Sequence, residues 1–244
     1  MGWLSLAALR EKTQLIKVLS TPEIIYKLPA PIKVTAPAVQ ASAVASNGGN
    51  LQVTATAHGM TGGTVVGSSV YVSAGTGWTA GLYEILSVDS VNTYTLNVAR
   101  GTLGVPTVAL ANGTAEITIA TIPGPTLLSS SSLTGSIGTE CSGQNTNTKR
   151  IIFDFSTARV FNANMSLSTD FGVYGNFTVK NLGSTSSQKT MMHSSIVSGF
   201  GRLASAPISS SINTAAAYSM YVRAIFSAAN DIITVNDVDV MVRQ

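Results

Sequence analysis

Residues 56–66 read Thr-Ala-His-Gly-Met-Thr-Gly-Gly-Thr-Val-Val, placing His58, one of the chain's two histidines, beside Gly59, Gly62 and Gly63. Two readings compete: a catalytic histidine next to a phosphate-cradling loop, or a turn between strands. A phosphate loop needs Gly-Lys-Ser/Thr entering a helix, so that backbone N–H groups and the lysine converge on the phosphates. No lysine follows Gly63, and the next segment, SSVYVSA, alternates like a strand around Val70 and Val72. The stretch is therefore read as a turn. In it His58 hydrogen-bonds backbone and the glycines supply positive φ or close approach.

Period-two patterning continues on both sides. LQVTATA puts Leu51, Val53 and Ala55 on one face, and LYEILSVDS and NTYTLNVA flank a turn signal at Asp89–Asn92, which predicts a hairpin. TAEITIATI, ending at Ile122, is expected to close this unit. A small β-sandwich or barrel over residues 48–122 follows, its short strands punctuated by Gly, Asn and Asp.

Pro123 and Pro125 mark the next boundary, and residues 123–149 read as a linker in which Leu127, Leu128, Leu133 and Ile137 form a first strand. From Arg150 the strands resume: RIIFDFS, NMSLSTDFGVYGNFTVKNLG, KTMMHSSIVSGFG, AAYSMYVRAIFSA and DIITVNDVDVMVRQ. With no convincing helix among them, residues 150–244 are expected to form a jelly roll or similar sandwich.

The first 47 residues differ. The segment from Leu4 to Leu19 reads as an amphipathic helix, not a signal sequence. Its apolar run is short, has no basic residues before it and runs into Arg10-Glu11-Lys12. Pro29, Pro31 and Pro37 then favour an extended strap. Helix and strap together are expected to form an anchoring arm. Its contact residues would be Trp3, Leu4, Leu15, Ile16, Leu19, Ile24 and Ile25.

Composition narrows the function classes. The chain has 244 residues, 45% of them hydrophobic, enough for a sizeable core. Only 10% are charged, against a usual ~25%, so Ser, Thr, Asn and Gly must supply the polar surface. The net charge of +3 is dispersed, and Lys149-Arg150 is its densest basic spot, too little to bind nucleic acid. No 18-residue apolar span argues for membrane insertion. Cys141, the single cysteine, allows neither an internal disulfide nor a cysteine metal site.

Catalytic signals are weak. His58 and His193 fall in different predicted domains without metal-ligand spacing, and no Gly-x-Ser-x-Gly elbow is present. Among the eleven acids, Asp237 and Asp239 share one strand face, a solvated face or an occasional calcium ligand. Asp154, Asp170 and Asp231 complete the crowded set. Trp78, Tyr83, Tyr94, Tyr174, Tyr218 and Tyr221 are core aromatics or sugar-stacking platforms. No catalytic, cofactor or metal residue is assigned, and no cofactor is expected.

Ala57-His58-Gly59-Met60, the strand Val70–Val72, Gly81–Tyr83 and the hairpin Val88–Leu96 together resemble a small β module of tailed-bacteriophage virion proteins. Thr64 stands near where that module often has an acidic residue. VKNLGSTSSQKT and the stretch from Tyr221 to Val242 are similar to jelly-roll domains of phage head-decoration, fibre and tail proteins. The resemblance implies a non-enzymatic virion component, oligomeric with a trimer favoured, whose partners are other virion proteins. A host-surface glycan is a further candidate partner, and a carbohydrate-recognising fibre tip is the alternative function. A capsule depolymerase is the third reading, opposed by the scarcity of acids and histidines.

Overall fold

The computed structural model describes residues 23–142, 146–165, 172–196, 201–204 and 208–243. The predicted helix Leu4–Leu19, with Trp3, Leu4, Leu15, Ile16 and Leu19, lies outside them. Among the described residues the chain is almost entirely strand, and its helix, α1 (Gly62–Val65), is a single turn.

Two sheets face one another. The smaller has the order β12 (Ala158–Met165), β11 (Lys149–Phe155), β17 (Ser219–Phe226), β9 (Ile117–Pro123). The larger begins β15 (Gly201–Ala204), β14 (Gln188–Ile196), β13 (Gly172–Asn181), β10 (Ser132–Ser142), β18 (Ile232–Arg243). Alternation builds these strands: in SLTGSIGTECS of β10, Leu133, Gly135, Ile137, Thr139 and Cys141 are buried while their neighbours are half-buried or exposed. Between the sheets lies one apolar core, in which the rings of Phe153 on β11 and Phe177 on β13 are 4.5 Å apart. Gly135 is required there, because a Cβ would sit 2.3 Å from the Asp239 carbonyl and 2.4 Å from the Phe177 ring. This is an all-β, sandwich-type architecture.

The larger sheet continues past β18 into the small unit through β2 (Ile32–Val34), β5 (Ser69–Ala74), β6 (Gly81–Ser90), β7 (Thr93–Ala99), β4 (Asn50–Thr54) and β3 (Ala43–Asn47). β2 meets β5 in parallel at Val34↔Ser69. The small unit has its own core of Leu51, Val53, Ala55, Met60, Val65, Val70, Ile85, Tyr94 and Leu96. The hairpin expected at Asp89–Asn92 joins β6 and β7.

Four expectations are revised. The proline-rich strap is extended but not free: β1 (Glu23–Lys27), which carries Ile24 and Ile25, pairs with the C-terminal half of β18, and β2 pairs with its start. Pro29 and Pro31 lack the N–H a ladder needs, so the strap breaks into two strands instead of leaving the sheet. Ala43–Asn47, assigned to the arm, is the outer strand of the small unit. Ile117–Pro123, expected to close that unit, pairs with β17 and gives Ile117, Ile119, Ala120 and Ile122 to the large core. The linker contains β10, eleven residues long and central in its sheet, with Leu133 and Ile137 buried and Leu128 left 54% exposed.

Candidate functional site

The His58 turn is a junction. The ring is fully buried and meets Tyr94 edge-on, with centroids 5.4 Å apart. Its Nδ1 accepts the Met60 N–H at 3.0 Å, and its Nε2 lies 3.0 Å from the Ser90 carbonyl. Because Nδ1 accepts, the neutral ring carries its proton on Nε2 and donates it to that carbonyl. Both nitrogens are thus engaged with backbone, one inside the turn and one in the β6–β7 hairpin. The His58 carbonyl accepts the Ala38 N–H, and Asn92 Oδ1 accepts the Ala57 N–H.

Gly59 adopts φ +74°, and a Cβ there would come within 3.1 Å of Ala229 Cβ, so this glycine meets both demands of the turn. Gly62 and Gly63 do not: they open α1, which precedes the expected strand. A single helical turn excludes a phosphate site built on an aligned helix N-terminus.

Chemistry-bearing side chains converge elsewhere, on the outer face of the four-stranded sheet. Asp154 on β11, Tyr221 and Arg223 on β17, Arg159 on β12 and Glu116 just ahead of β9 project there. Asp154, 3% exposed, accepts from Arg159 Nε at 3.1 Å and from Arg223 Nη1 at 2.7 Å. Glu116 accepts from Arg159 Nη2 at 2.8 Å and Arg223 Nη1 at 3.1 Å. Partial burial would push the Glu116 carboxyl up, but the bonds and charges of Arg159 and Arg223 outweigh it and hold the group below the usual carboxylate range. Hydrogen bonding to Asp154, then to Glu116, raises Arg159 despite its partial burial. The Arg223 guanidinium lies 4.6 Å from the Tyr221 ring centroid.

Tyr221 also separates two open depressions. One, about 550 Å³, is walled by Asp154, Arg159 and Arg223 with Ser156 and Thr157 at its end. The other, about 500 Å³, runs from Tyr221 over Thr118 and Thr121 to Tyr71, Gly81 and Leu82 of the small unit. Both are lined by Tyr221, so the two depressions form one interrupted trench with that ring between them.

The remaining candidates stay apart. Asp237 and Asp239 alternate with buried Val238 and Val240 on β18, and Ser136 Oγ donates to Asp237 Oδ2 at 3.4 Å. Among the described residues no group of three His, Cys, Asp or Glu side chains could hold a metal ion, and no helix is long and apolar enough to cross a membrane. His193 lies on β14, in register with Asn176 and away from His58. Asp231 is buried with Lys149, the two charges 3.7 Å apart. Asp170 lies outside the described residues. Arg159, Arg223 and Glu116 were not legible as a site. The available signal was a lone carboxylate in the apolar run IIFDF and the alternation Tyr221-Val222-Arg223, which place three polar groups on adjacent outer positions only once β11 and β17 pair.

No protein-family model matches the chain, and no curated protein matches it. Solved structures overlap loosely. A bifunctional GH43-CE protein from Bacteroides eggerthii shows 14% identity and a TM-score of 0.33 over 55% of this chain and 22% of its own. An engineered GH43 glycoside hydrolase with endo-xylanase and exo-arabinofuranosidase activity shows 10% identity and 0.31, over 85% and 56%. Arcelin-5, a lectin-like defence protein from Phaseolus vulgaris, shows 8% and 0.32, over 91% and 99%. The chain therefore spans about a fifth and about half of the two glycoside hydrolase chains. Overlaps this loose establish neither a shared fold nor a shared activity.

Proposed function

We propose that the chain is a non-enzymatic structural component of a tailed-bacteriophage virion, a capsid-decoration, fibre or tail accessory protein. Its sandwich is then the jelly roll that such proteins resemble, and the Ala57–Leu96 stretch a docking module. The observation that carries the reading is the engagement of His58. The one histidine set in a glycine-rich, active-site-like stretch has both ring nitrogens bonded to backbone, and its turn ties the small unit to the sandwich through Ala38 and Asn230. A part joined in this way transmits position between neighbours. Weakly charged Ser/Thr-rich faces suit repeated contacts with other subunits, where symmetry multiplies modest interfaces. The proposed state is a homo-oligomer, with a trimer favoured, seated by the segment ahead of Glu23.

Quantitative mass spectrometry of purified particles from the encoding phage tests this. Stoichiometric recovery is expected: hundreds of copies for decoration, a few dozen or fewer for a fibre or tail part. Particles that lack the protein would overturn the proposal.

A further inference from the structure

We infer that the Tyr221 trench is a binding site for uncharged pyranose oligosaccharides. The inference does not depend on the virion role, and absence from particles would leave it standing.

Tyr221 is half-buried on the outer face of the four-stranded sheet, at the boundary of both depressions, and the Arg223 guanidinium at 4.6 Å constrains it. With the guanidinium over one face, the ring would offer a ligand its other face, at little conformational cost. Beside it, the guanidiniums of Arg159 and Arg223 are locked in place by Asp154 and Glu116. Their bonds to the carboxylates use Arg159 Nε and Nη2 and Arg223 Nη1. The Arg159 Nη1 hydrogens and the Arg223 Nε and Nη2 hydrogens are the donors left to address a ligand. Hydroxyls of Ser156, Thr157, Thr118, Thr121 and Tyr71 line the rest of the trench.

Charge and shape then select the occupant. Two cations and two carboxylates cancel, so the trench has no net attraction for phosphate or a polyanion. A ligand that fits must present an apolar face to an aromatic ring and, at its perimeter, hydroxyls that both donate and accept. A pyranose has that arrangement. Its two parts together reach from β12 over β11, β17 and β9 to β6, and at ~4.8 Å between paired strands each side of Tyr221 has room for a sugar unit or two. Each depression lies within the usual range for small-molecule sites, roughly 300–1,000 Å³.

The test uses the full chain on an array of uncharged oligosaccharides of glucose, galactose, mannose and N-acetylglucosamine, with sialylated and sulfated glycans alongside. The tightest uncharged binder is then followed by calorimetry. The expected result is binding to uncharged glycans that weakens about tenfold or more in Tyr221→Ala, persists in Tyr221→Phe and is unchanged in Tyr174→Ala on the opposite sheet. Should Tyr221→Ala fail to fold, Arg223→Lys, which removes the planar donors, is expected to show the same loss. Binding to no uncharged glycan, binding to acidic glycans alone, or binding by Tyr221→Ala or Arg223→Lys equal to that of the parent chain would overturn the inference.

Discussion

Asn230 and Thr61, 169 residues apart in sequence, are joined by a 2.6 Å hydrogen bond from the Thr61 N–H to Asn230 Oδ1, while Asn230 Nδ2 donates to the Gly59 carbonyl at 2.7 Å. One amide thus clamps the Gly59–Thr61 segment, just after His58, against the loop between β17 and β18. Asn230 itself sits at φ +70°, a conformation asparagine tolerates better than most residues. Asn230→Gly keeps that backbone and removes the bridge. It is expected to lower unfolding free energy by about 1–2 kcal/mol and to speed amide exchange at Thr61, measured by urea titration and hydrogen exchange. Unchanged exchange at Thr61 would count against the bridge.

His58→Ala empties a fully buried site and strands the Met60 N–H and the Ser90 carbonyl. A loss of about 2–4 kcal/mol is expected. Asparagine can place Oδ1 near the position of Nδ1, so His58→Asn should keep the Met60 bond, lose the Ser90 bond and fall between alanine and the parent chain. Equal stability of the two variants in chemical denaturation would show that the turn bond contributes nothing.

Acid should weaken the small unit through Asp89. Partial burial raises its pKa, but bonds from Ser87, Gln52 and Thr95, with Asn47 behind them, outweigh this and lower it overall. A carboxyl whose folded pKa is depressed stabilises above its unfolded value, roughly 3.9. That contribution is lost as pH falls through the lower folded value. Tm measured from pH 7 downward should therefore hold steady with respect to this group until about pH 4 and then drop. Asp89→Asn should reduce the drop. An identical acid limb in the variant would remove Asp89 from the explanation.

Lys149 and Asp231, both about 1% exposed and 3.7 Å apart, connect β11 to the start of β18. Removing one charge leaves the other buried, so Lys149→Met should cost about 3–5 kcal/mol. Replacing both, as Lys149→Met with Asp231→Leu, should recover part of that loss. A double-mutant cycle in urea checks the coupling, and simple additivity would refute it.

Truncation separates the two halves of the proposed arm. Deleting residues 1–22 removes no described strand, and a folded chain is expected. Deleting residues 1–45 removes β1, β2 and most of β3, together with the fully buried Val34 and Ala36. That product should lose its cooperative melting transition in circular dichroism. A sharp transition would show that the strap only decorates the sheet.

Period-two alternation by itself determined that the chain is built of strands and where most of them lie, and the missing lysine after Gly63 determined that TAHGMTGG is no phosphate loop. Those are local properties: a backbone that alternates faces writes its pattern within six or seven residues. Only the tertiary structure decided which sheet each strand joins. Ile117–Pro123 reads the same whether it closes the small unit or faces the large core. The prolines of the strap forbid ladder bonds at their own positions without saying what their neighbours pair with. The same holds for the trench. Asp154, Arg159, Tyr221, Arg223 and Glu116 are scattered over more than a hundred residues, and only antiparallel pairing of β12, β11, β17 and β9 sets them side by side. Strand pairing is a long-range choice, made by burial and register.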